Sequence, residues 1–266
     1  MVSDVYFRKT FSRPDFVRAV MSVFRKEFSG KKVFVKPNIV SWEGYPTTTH
    51  PETLETVLAF LDKEGCGIGV GDGPAPDAGK SHRIIENHPL NATCSKFDVE
   101  LINLHECKFA KRKAGAGSLR VSEIPFEYDY WISLPVLKCH PATGITGALK
   151  NQFGYLKIRE RILMHTRLKN IHRGIANLNL VLKPDLTIMD AVQTYRRANE
   201  ARHGGVVAEL GCMLAGSDPV ALDCAGFELL SETEAALRKK TWKDVDHIRL
   251  SKELGVGSVE FRRIDI

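Results

Sequence analysis

A strand, a helix and a second strand follow one another with short connections in the first third of the chain. Residues 32–36 (KVFVK) have the composition of a strand, and residues 66–73 (CGIGVGDG) predict a buried strand that runs into a glycine-rich turn. Between them, His50-Pro51-Glu52 predicts the start of a helix and Gly65 predicts its end. Because a helical crossover joins parallel strands, this βαβ unit predicts a parallel sheet.

Strand-like and helical segments continue to alternate along the rest of the chain, which predicts an α/β fold with a mostly parallel sheet or sheets flanked by helices. No break in composition divides the sequence, so a single α/β domain over 1–266 is expected. The alternative is two lobes, about 1–125 and 126–266, with the site between them. Further strands are predicted at 1–7, 99–104, 118–124, 128–137, 185–192, 209–217 and 258–266, helices from Ser12 and at 82–87, 159–166, 168–182, 219–230 and 242–254, and a long polar loop from the end of the 128–137 strand to about 157.

The charge balance favours an anionic partner. Lysine and arginine number 38 against 32 aspartates and glutamates, which gives the 266 residues a formal net charge of +6. Residues 108–113 (KFAKRK) are a basic cluster, and residues 157–173 are a basic helical stretch that predicts a solvated face with Arg159 and Arg161 on it. No recognition motif or interleaved aromatic platform accompanies either one, so a specific nucleic-acid partner is not expected.

The cysteines and the apolar segments restrict the cofactor and the compartment. None of the six cysteines has a second at C-x-x-C spacing, so no zinc ribbon or iron–sulfur cluster motif is encoded. No stretch approaches the roughly 18 apolar residues of a membrane span, and the N-terminal residues lack the apolar region of a secretory signal. A cytoplasmic protein without a membrane partner is therefore expected.

Polar side chains follow several of the predicted strands. Ligands of parallel α/β sheets bind beyond the carboxyl ends of the strands, so these positions predict one shared binding site. The strand-end residues are Lys36 and Asn38, Asp72, Lys138 and His140, Asp190, and Asp218, of which Asp218 also suits the start of a helix.

The segment 137–154 (LKCHPATGITGALKNQFG) is the most informative part of the sequence. Glycines let backbone N–H groups approach an anion, while hydroxyl and ammonium groups add donors, so an anion-binding or active-site loop is predicted. The spacing of a P-loop is absent, and a flexible surface loop is the alternative. The polar residues of the segment are Lys138, His140, Thr143, Thr146, Lys150 and Asn151.

Two histidines accompany this segment as candidates for chemistry. His140 lies within it and His165 follows in the basic helical stretch. Imidazoles that converge from a loop and a helix could bind a divalent transition metal or could act as acid and base. For His172 a surface or satisfied core position is the expectation.

An ordered series of motifs resembles the domain-of-unknown-function family numbered 362, over about residues 30–230. Many members of that family carry an appended ferredoxin-type cysteine cluster, which this chain lacks. The motifs are VKPN (35–38), THPETLETV (49–57), VGDGP (70–74), LPVLKCH (134–140), TGALKNQFG (146–154), LKPDLTIMDAV (182–192) and AGSDPVALDCAG (215–226).

The stretch 130–150 is also similar, more distantly, to the nickel-pincer lactate racemase. The resemblance implies that His140 moves a proton, that Lys150 tethers the pincer cofactor, and that His165 ligates nickel. The racemase has a second catalytic histidine after an early strand, whereas this chain has Asp72 between two glycines there. A shared scaffold with altered chemistry is therefore expected.

The residues together predict an enzyme that acts on a small anionic substrate bearing a carboxylate or a phosphate, with isomerase-like, lyase-like or metal-dependent chemistry. The alternatives are a non-catalytic module that binds a nucleotide-type cofactor or a metal for another protein, and then a nucleic-acid binder. The oligomeric state stays open, with a homodimer as one alternative. The predicted catalytic residues are His140, Lys150 and His165, with a metal on His140 and His165, and the predicted anion-binding residues are Lys36, Asn38, Asp72, Lys138, Thr143, Thr146, Asn151, Asp190 and Asp218.

Overall fold

A computed structural model describes residues 2–266 and contains one central sheet of eight strands. The order across the sheet is β12-β1-β11-β10-β7-β2-β3-β4, and β11 alone runs against its neighbours. The mostly parallel α/β fold predicted from the βαβ unit is confirmed. The strands of this sheet are β1 (Ser3–Lys9), β2 (Lys32–Pro37), β3 (Gly67–Asp72), β4 (Leu101–Asn103), β7 (Tyr130–Leu134), β10 (Leu186–Arg196), β11 (Val206–Gly216) and β12 (Phe261–Asp265).

Helices cover both faces of the sheet, because alternate strand residues point to opposite sides. In β2, Val33 and Val35 pack into the apolar cluster of one face and Phe34 into that of the other. The first face is covered chiefly by α1, α2 and α4, and the second by α5, α7, α8 and α9. The helices are α1 (Arg13–Phe28), α2 (Pro51–Lys63), α3 (Ser81–Glu86), α4 (Pro89–Ser95), α5 (Ala148–Asn151), α6 (Ile158–His165), α7 (Ile171–Asn179), α8 (Pro219–Thr233) and α9 (Asp246–Glu253).

The predicted polar loop up to residue 157 is wrong as a description of that segment. It folds into a hairpin of β8 (Lys138–His140) and β9 (Gly144–Thr146), then α5, then a 3₁₀ turn at Gln152–Tyr155. Apolar residues such as Ile145 and Leu149 are fully buried and anchor this segment to the core. The polar groups that follow β7 are therefore held rigidly.

A second, separate hairpin accounts for the predicted basic cluster at 108–113. Residues Phe109–Ala114 form β5 and pair antiparallel with β6, Gly117–Ser122. The predicted strand at 118–124 thus lies outside the central sheet, and α4 and β5 were not predicted. The predicted strand at 1–7 corresponds to β1, except that Met1 lies outside the described residues.

Candidate functional site

A cavity of about 420 Å³ lies at the carboxyl ends of β2 and β3, against the β8–β9 hairpin and α5. Parallel strands that end at one edge bring their last residues together, which explains why positions distant in the sequence meet here. Of the residues predicted for the site, the cavity is lined by Lys36, Asn38, Asp72, Lys138, His140, Thr146, Lys150, Asn151 and His165.

Lys36 and Asp72 form a buried ion pair in the wall of this cavity. The Lys36 ammonium lies 2.6 Å from Asp72 Oδ1, and both side chains are almost wholly buried. Asp72 also accepts hydrogen bonds from the backbone N–H groups of Gly73 and Ile39, each at 2.7 Å. A Cβ atom at Gly154 would overlap Asp72 Oδ1, so glycine is required there. The Asp72 carboxylate is therefore fully engaged by groups of the protein itself.

Lys138 is a fully buried cation held by neutral oxygens. Its ammonium donates hydrogen bonds to Asn38 Oδ1 at 2.8 Å and to the Thr47 carbonyl at 2.6 Å, and among residues 2–266 it forms no ion pair. Burial lowers the pKa of Lys138 to about 7, with a further lowering from the positive charge of Lys150. The charged form of Lys138 thus favours an anion in the cavity.

Lys150 projects from a short helix that a buried carboxylate holds in place. Asp223 of α8 accepts hydrogen bonds from the N–H groups of Ala148 at 2.6 Å and Leu149 at 3.2 Å. The Lys150 ammonium lies 5.4 Å from the centroid of the Phe153 ring and has no hydrogen-bond partner among residues 2–266. Burial, followed by the charge of Arg161, lowers the pKa of Lys150 to about 7. Its amine is thus partly neutral near pH 7.

Arg161 is the main site residue that the sequence reasoning assigned wrongly. It was expected on a solvated helix face, but it is only 6% exposed and lines the cavity. The guanidinium donates to the carbonyl oxygens of Gly73 at 2.7 Å and Pro74 at 2.8 Å, and its Nε lacks a partner among residues 2–266. Burial lowers the pKa of Arg161 to about 10, so it stays charged at neutral pH.

The rings of His140 and His165 are stacked, with centroids 6.5 Å apart and planes inclined by 30°. The Nδ1 atom of His140 accepts a hydrogen bond from the Ala142 N–H, which assigns the proton of the neutral ring to Nε2. Burial first, and then the charge of Lys150, lowers the pKa of the half-buried His140 well below its ordinary value. The same two causes lower the pKa of His165, although its side chain is exposed at the edge of the cavity. Both imidazoles are therefore neutral at pH 7.

This geometry does not favour the metal site predicted on the two histidines. Metal ligation by the Nε2 atom of His140 would require loss of the proton that its tautomer places there. Among residues 2–266, no group of three or more histidine, cysteine or acidic side chains is placed to hold a metal ion. His140 is better suited to donate a proton than to ligate a metal.

Two further polar side chains of the cavity wall are buried without hydrogen-bond partners for particular atoms. The Oγ1 atom of Thr146 and the Oδ1 atom of Asn151 are unsatisfied among residues 2–266, at residue exposures of 5% and 3%. An unpartnered buried polar atom costs about 1–3 kcal/mol, and a bound molecule can remove that cost. The wall therefore offers unused hydrogen-bonding groups beside its cations.

Acidic groups occupy the mouth of the cavity. Glu200, from the turn between β10 and β11, is buried and accepts from Arg202 Nε at 2.7 Å. Arg202 also lies 3.0 Å from the exposed Asp77, which follows β3. Sequence reasoning missed Glu200 and Asp77, since only the fold brings the β10–β11 turn beside the β3 end. Ion pairs with Arg202 thus hold both acidic groups of the cavity lining.

Three predicted binding residues lie away from the cavity. The Oγ1 atom of Thr143 donates to the Ile145 carbonyl within the hairpin. Asp190 is paired with Arg13 at 2.6 Å, because β10 continues beyond it to Arg196 and Asp190 is not a strand end. Asp218 accepts from two N–H groups at the start of α8, as its alternative assignment proposed.

The sequence profile of the family "Domain of unknown function (DUF362)" matches residues 33–228, which is most of the chain. The chain belongs to the DUF362 family. The suspected membership is confirmed, and the match contains all of the cavity-lining residues, from Lys36 to His203.

Among DUF362-related proteins, the chain is 26% identical over 214 residues to the "Thylakoid-associated protein sll1697" of Synechocystis sp.. The alignment covers 78% of this chain and 65% of the Synechocystis protein, so the chain spans less than two thirds of that relative's length. No helix among residues 2–266 has both the length and the apolar character to cross a membrane. The expected cytoplasmic location stays a prediction.

The fold is similar to that of a solved structure. The lactate racemase apoprotein from Thermoanaerobacterium thermosaccharolyticum superposes with a TM-score of 0.57 at 13% identity, over 86% of this chain and 57% of the racemase. A protein of Thermotoga maritima matches with a TM-score of 0.47 at 16% identity, over 92% of this chain and 60% of its own. At this identity the racemase shows that the α/β scaffold is shared, and no more than that.

Proposed function

We propose that this DUF362 protein is an enzyme that binds a small carboxylate- or phosphate-bearing substrate in the cavity and transfers a proton to or from it. The observation that carries the proposal is the charge of the cavity wall. Four basic side chains line it, of which Lys36, Lys138 and Arg161 are buried and Lys150 is half-buried, and among residues 2–266 only Asp72 forms an ion pair with any of them. Lys36 and Arg161 are charged at pH 7, and Lys138 and Lys150 are each charged about half of the time. A small anion would compensate this surplus in a site of low dielectric, where charge–charge attraction is strong. The cations are Lys36, Lys138, Lys150 and Arg161.

The same wall supplies groups suited to proton transfer. The amine of Lys150 is near half-protonated at pH 7, the condition in which a group can both accept and donate a proton. The His140 ring is neutral and carries its proton on Nε2, so it can donate, while neutral His165 can accept. We assign the acid–base work to these three side chains, which favours isomerase-like or lyase-like chemistry.

A racemase-type exchange between two histidine bases is not part of the proposal. The lactate racemase is named for a hydroxycarboxylate, one member of the class of small anions proposed here. Where the resemblance requires a second histidine, this chain has Asp72, and its carboxylate is engaged by Lys36 and by two backbone N–H groups. Proton transfer from one face of the substrate is therefore proposed.

The pincer cofactor implied by the resemblance can be tested against Lys150 and His165. Both contact the Phe153 ring, at 5.4 Å for the Lys150 ammonium and 5.8 Å for the His165 ring centroid, so a single group in the cavity could reach both. These two residues would hold such a cofactor, which would supply a nickel centre beside the substrate. The assigned roles of His140, Arg161 and Lys138 do not depend on it.

The location and the partners in the proposal follow the sequence predictions. The proposed ligand is a small anion in the cytoplasm, without a specific nucleic-acid partner. Within the basic stretch 157–173, Arg161 faces the cavity and Lys169 is paired with Glu160 at 2.6 Å, which removes two cations from any continuous basic surface.

Replacing Arg161 by glutamine is expected to weaken anion binding by about 10–100-fold, because a hydrogen bond to a charged group contributes about 1.5–3 kcal/mol. Titration calorimetry with L-lactate, pyruvate and inorganic phosphate as separate probes measures the affinity. The matched control is Arg159→Gln, two residues earlier on α6 and exposed. Equal affinities for the two variants would contradict the assignment of Arg161.

Catalysis is tested separately from binding, by solvent exchange. The protein is incubated with L-lactate or pyruvate in deuterium oxide, and NMR follows loss of the proton on the carbon beside the carboxylate of lactate or of the methyl protons of pyruvate. Exchange that requires the protein and is lost in His140→Gln supports an enzyme. Binding without exchange for any carboxylate probe would instead favour the non-catalytic module.

A further inference from the structure

We propose that Lys150 forms a Schiff base with an anion that also carries a carbonyl group, such as a 2-oxo acid or an anionic aldehyde. This inference rests on the proposed function and narrows its substrate class, because a carboxylate or phosphate alone has no carbonyl carbon for an amine to attack. It applies to a Lys150 amine that is not covalently attached to a cofactor.

The first support is the difference among the three lysines of the cavity. Lys36 is locked in an ion pair with Asp72, and Lys138 donates two hydrogen bonds to oxygens of the protein. Lys150 has neither kind of partner among residues 2–266, although it lines the same cavity. An amine whose protons are not held by acceptors can present its lone pair to a substrate.

The second support is the anchoring of helix α5, from which Lys150 projects. The buried Asp223 carboxylate binds two N–H groups at the start of α5, and a Cβ atom at Gly147 would overlap Asp223 Oδ1. Gly147 therefore allows the close approach of α8 to α5. An anchored helix fixes the position from which the Lys150 side chain enters the cavity, and fixed placement of a nucleophile favours its attack on a bound carbonyl.

The third support is the electrostatic setting of the amine. Burial is the largest cause that opposes its protonation, Arg161 and Lys36 oppose it further, and Glu200 and Asp77 favour it. At pH 7 about half of the Lys150 side chains are neutral, whereas an ordinary lysine is neutral about 1,000-fold less often. Arg161 and Lys138 are placed to bind the anionic end of the same substrate.

The chemical step balances without an oxidant or a reductant. The neutral amine attacks the carbonyl carbon, a C–N bond forms, and the carbonyl oxygen takes up a proton, for which the Nε2–H of His140 is the proposed donor. The carbinolamine nitrogen then passes a proton to the hydroxyl group, the C–O bond breaks and water leaves, and His140 takes back its proton from solvent water. The resulting iminium withdraws electrons from the adjacent carbon, so a neutral imidazole can remove a proton from that carbon.

The test is reductive trapping with pyruvate or glyoxylate and sodium borohydride at pH 7, followed by mass spectrometry of the intact chain and of its peptides. We expect one adduct per chain on the peptide that contains Lys150, formed far faster than on exposed lysines. Lys150→Met should abolish this adduct, while Lys169→Met, an exposed lysine outside the cavity, should leave it unchanged. Peptide mapping of the wild-type chain assigns the adduct even if Lys150→Met does not fold.

Three outcomes would overturn the inference. These are no adduct, adducts spread over exposed lysines, or a Lys150 side chain already modified in the purified protein, as a tethered cofactor would require. Calorimetry separates these outcomes from failure of the proposed function. If pyruvate binds in an Arg161-dependent manner without being trapped, the anion site stands and the Schiff base does not.

Discussion

Replacing Asp72 by asparagine is expected to lower the free energy of unfolding by about 3–5 kcal/mol, the range for removing one partner of a buried ion pair. In the wild type the Lys36 ammonium lies 2.6 Å from the Asp72 carboxylate. The substitution leaves this ammonium buried without a counter-charge. The hydrogen bonds that Asp72 accepts from Gly73 and Ile39 also weaken, because they lose a charged acceptor. Urea unfolding followed by circular dichroism measures the change.

Two further variants serve as controls for the effect of Asp72→Asn on stability. Asp77→Asn removes a carboxylate at the mouth whose partner Arg202 keeps a second one, so the loss should stay below about 1 kcal/mol. The double variant Asp72→Asn with Lys36→Met should recover a large part of the lost stability, because it removes the uncompensated cation. A loss no greater for Asp72→Asn than for Asp77→Asn would contradict the role of the ion pair.

The Lys36–Asp72 pair also marks what the sequence was able to predict. Each residue ends a recognisable strand, and β2 and β3 pair in parallel with Val35 opposite Val70. Once the sheet is known to be parallel, two strand ends in such register must be neighbours. Local patterns and one topological rule were sufficient here.

Arg161 shows where that reasoning ends. It lies two residues from Arg159 on the same short helix, yet Arg161 is buried and Arg159 is exposed. No charge pattern along α6 distinguishes them, because the difference arises from the carbonyl oxygens of Gly73 and Pro74 that meet Arg161 from β3 and its turn. Such long-range contacts exist only in the folded chain.

Asp190 shows the related error of locating a strand end too early. The apolar run stops near Val192, but β10 continues to Arg196 through pairing with β11. The extra length places Asp190 within the strand, where Arg13 and Tyr45 bind its carboxylate at 2.6 and 2.9 Å. Strand extensions in long hairpins depend on the partner strand and are weakly encoded in either sequence alone.

Replacing Lys150 by methionine is expected to change how stability depends on pH. The pKa of Lys150 is lowered from its ordinary 10.5 to about 7 in the folded protein, so folding opposes its protonation. Below pH 7 both the folded and the unfolded chain bind this proton, and the penalty is fully present. Between about pH 7 and 10.5 the unfolded chain binds more protons, so the stability of the wild type rises with pH.

Methionine keeps the length of the side chain but has no proton to lose, so the variant lacks this contribution. The wild-type stability minus that of Lys150→Met should therefore rise by up to about 1.4 kcal/mol per pH unit above pH 7 and stay flat below pH 6. Urea unfolding of both proteins from pH 5.5 to about 9.5, within the range set by the two pKa values, measures this difference. Lys169→Met, at an exposed ion pair with Glu160, should give no such slope. If the stability difference for Lys150→Met is also independent of pH, the Lys150 ammonium carries no burial penalty. The amine would then be fully charged at pH 7, which would contradict both the proton transfer and the Schiff base assigned to it.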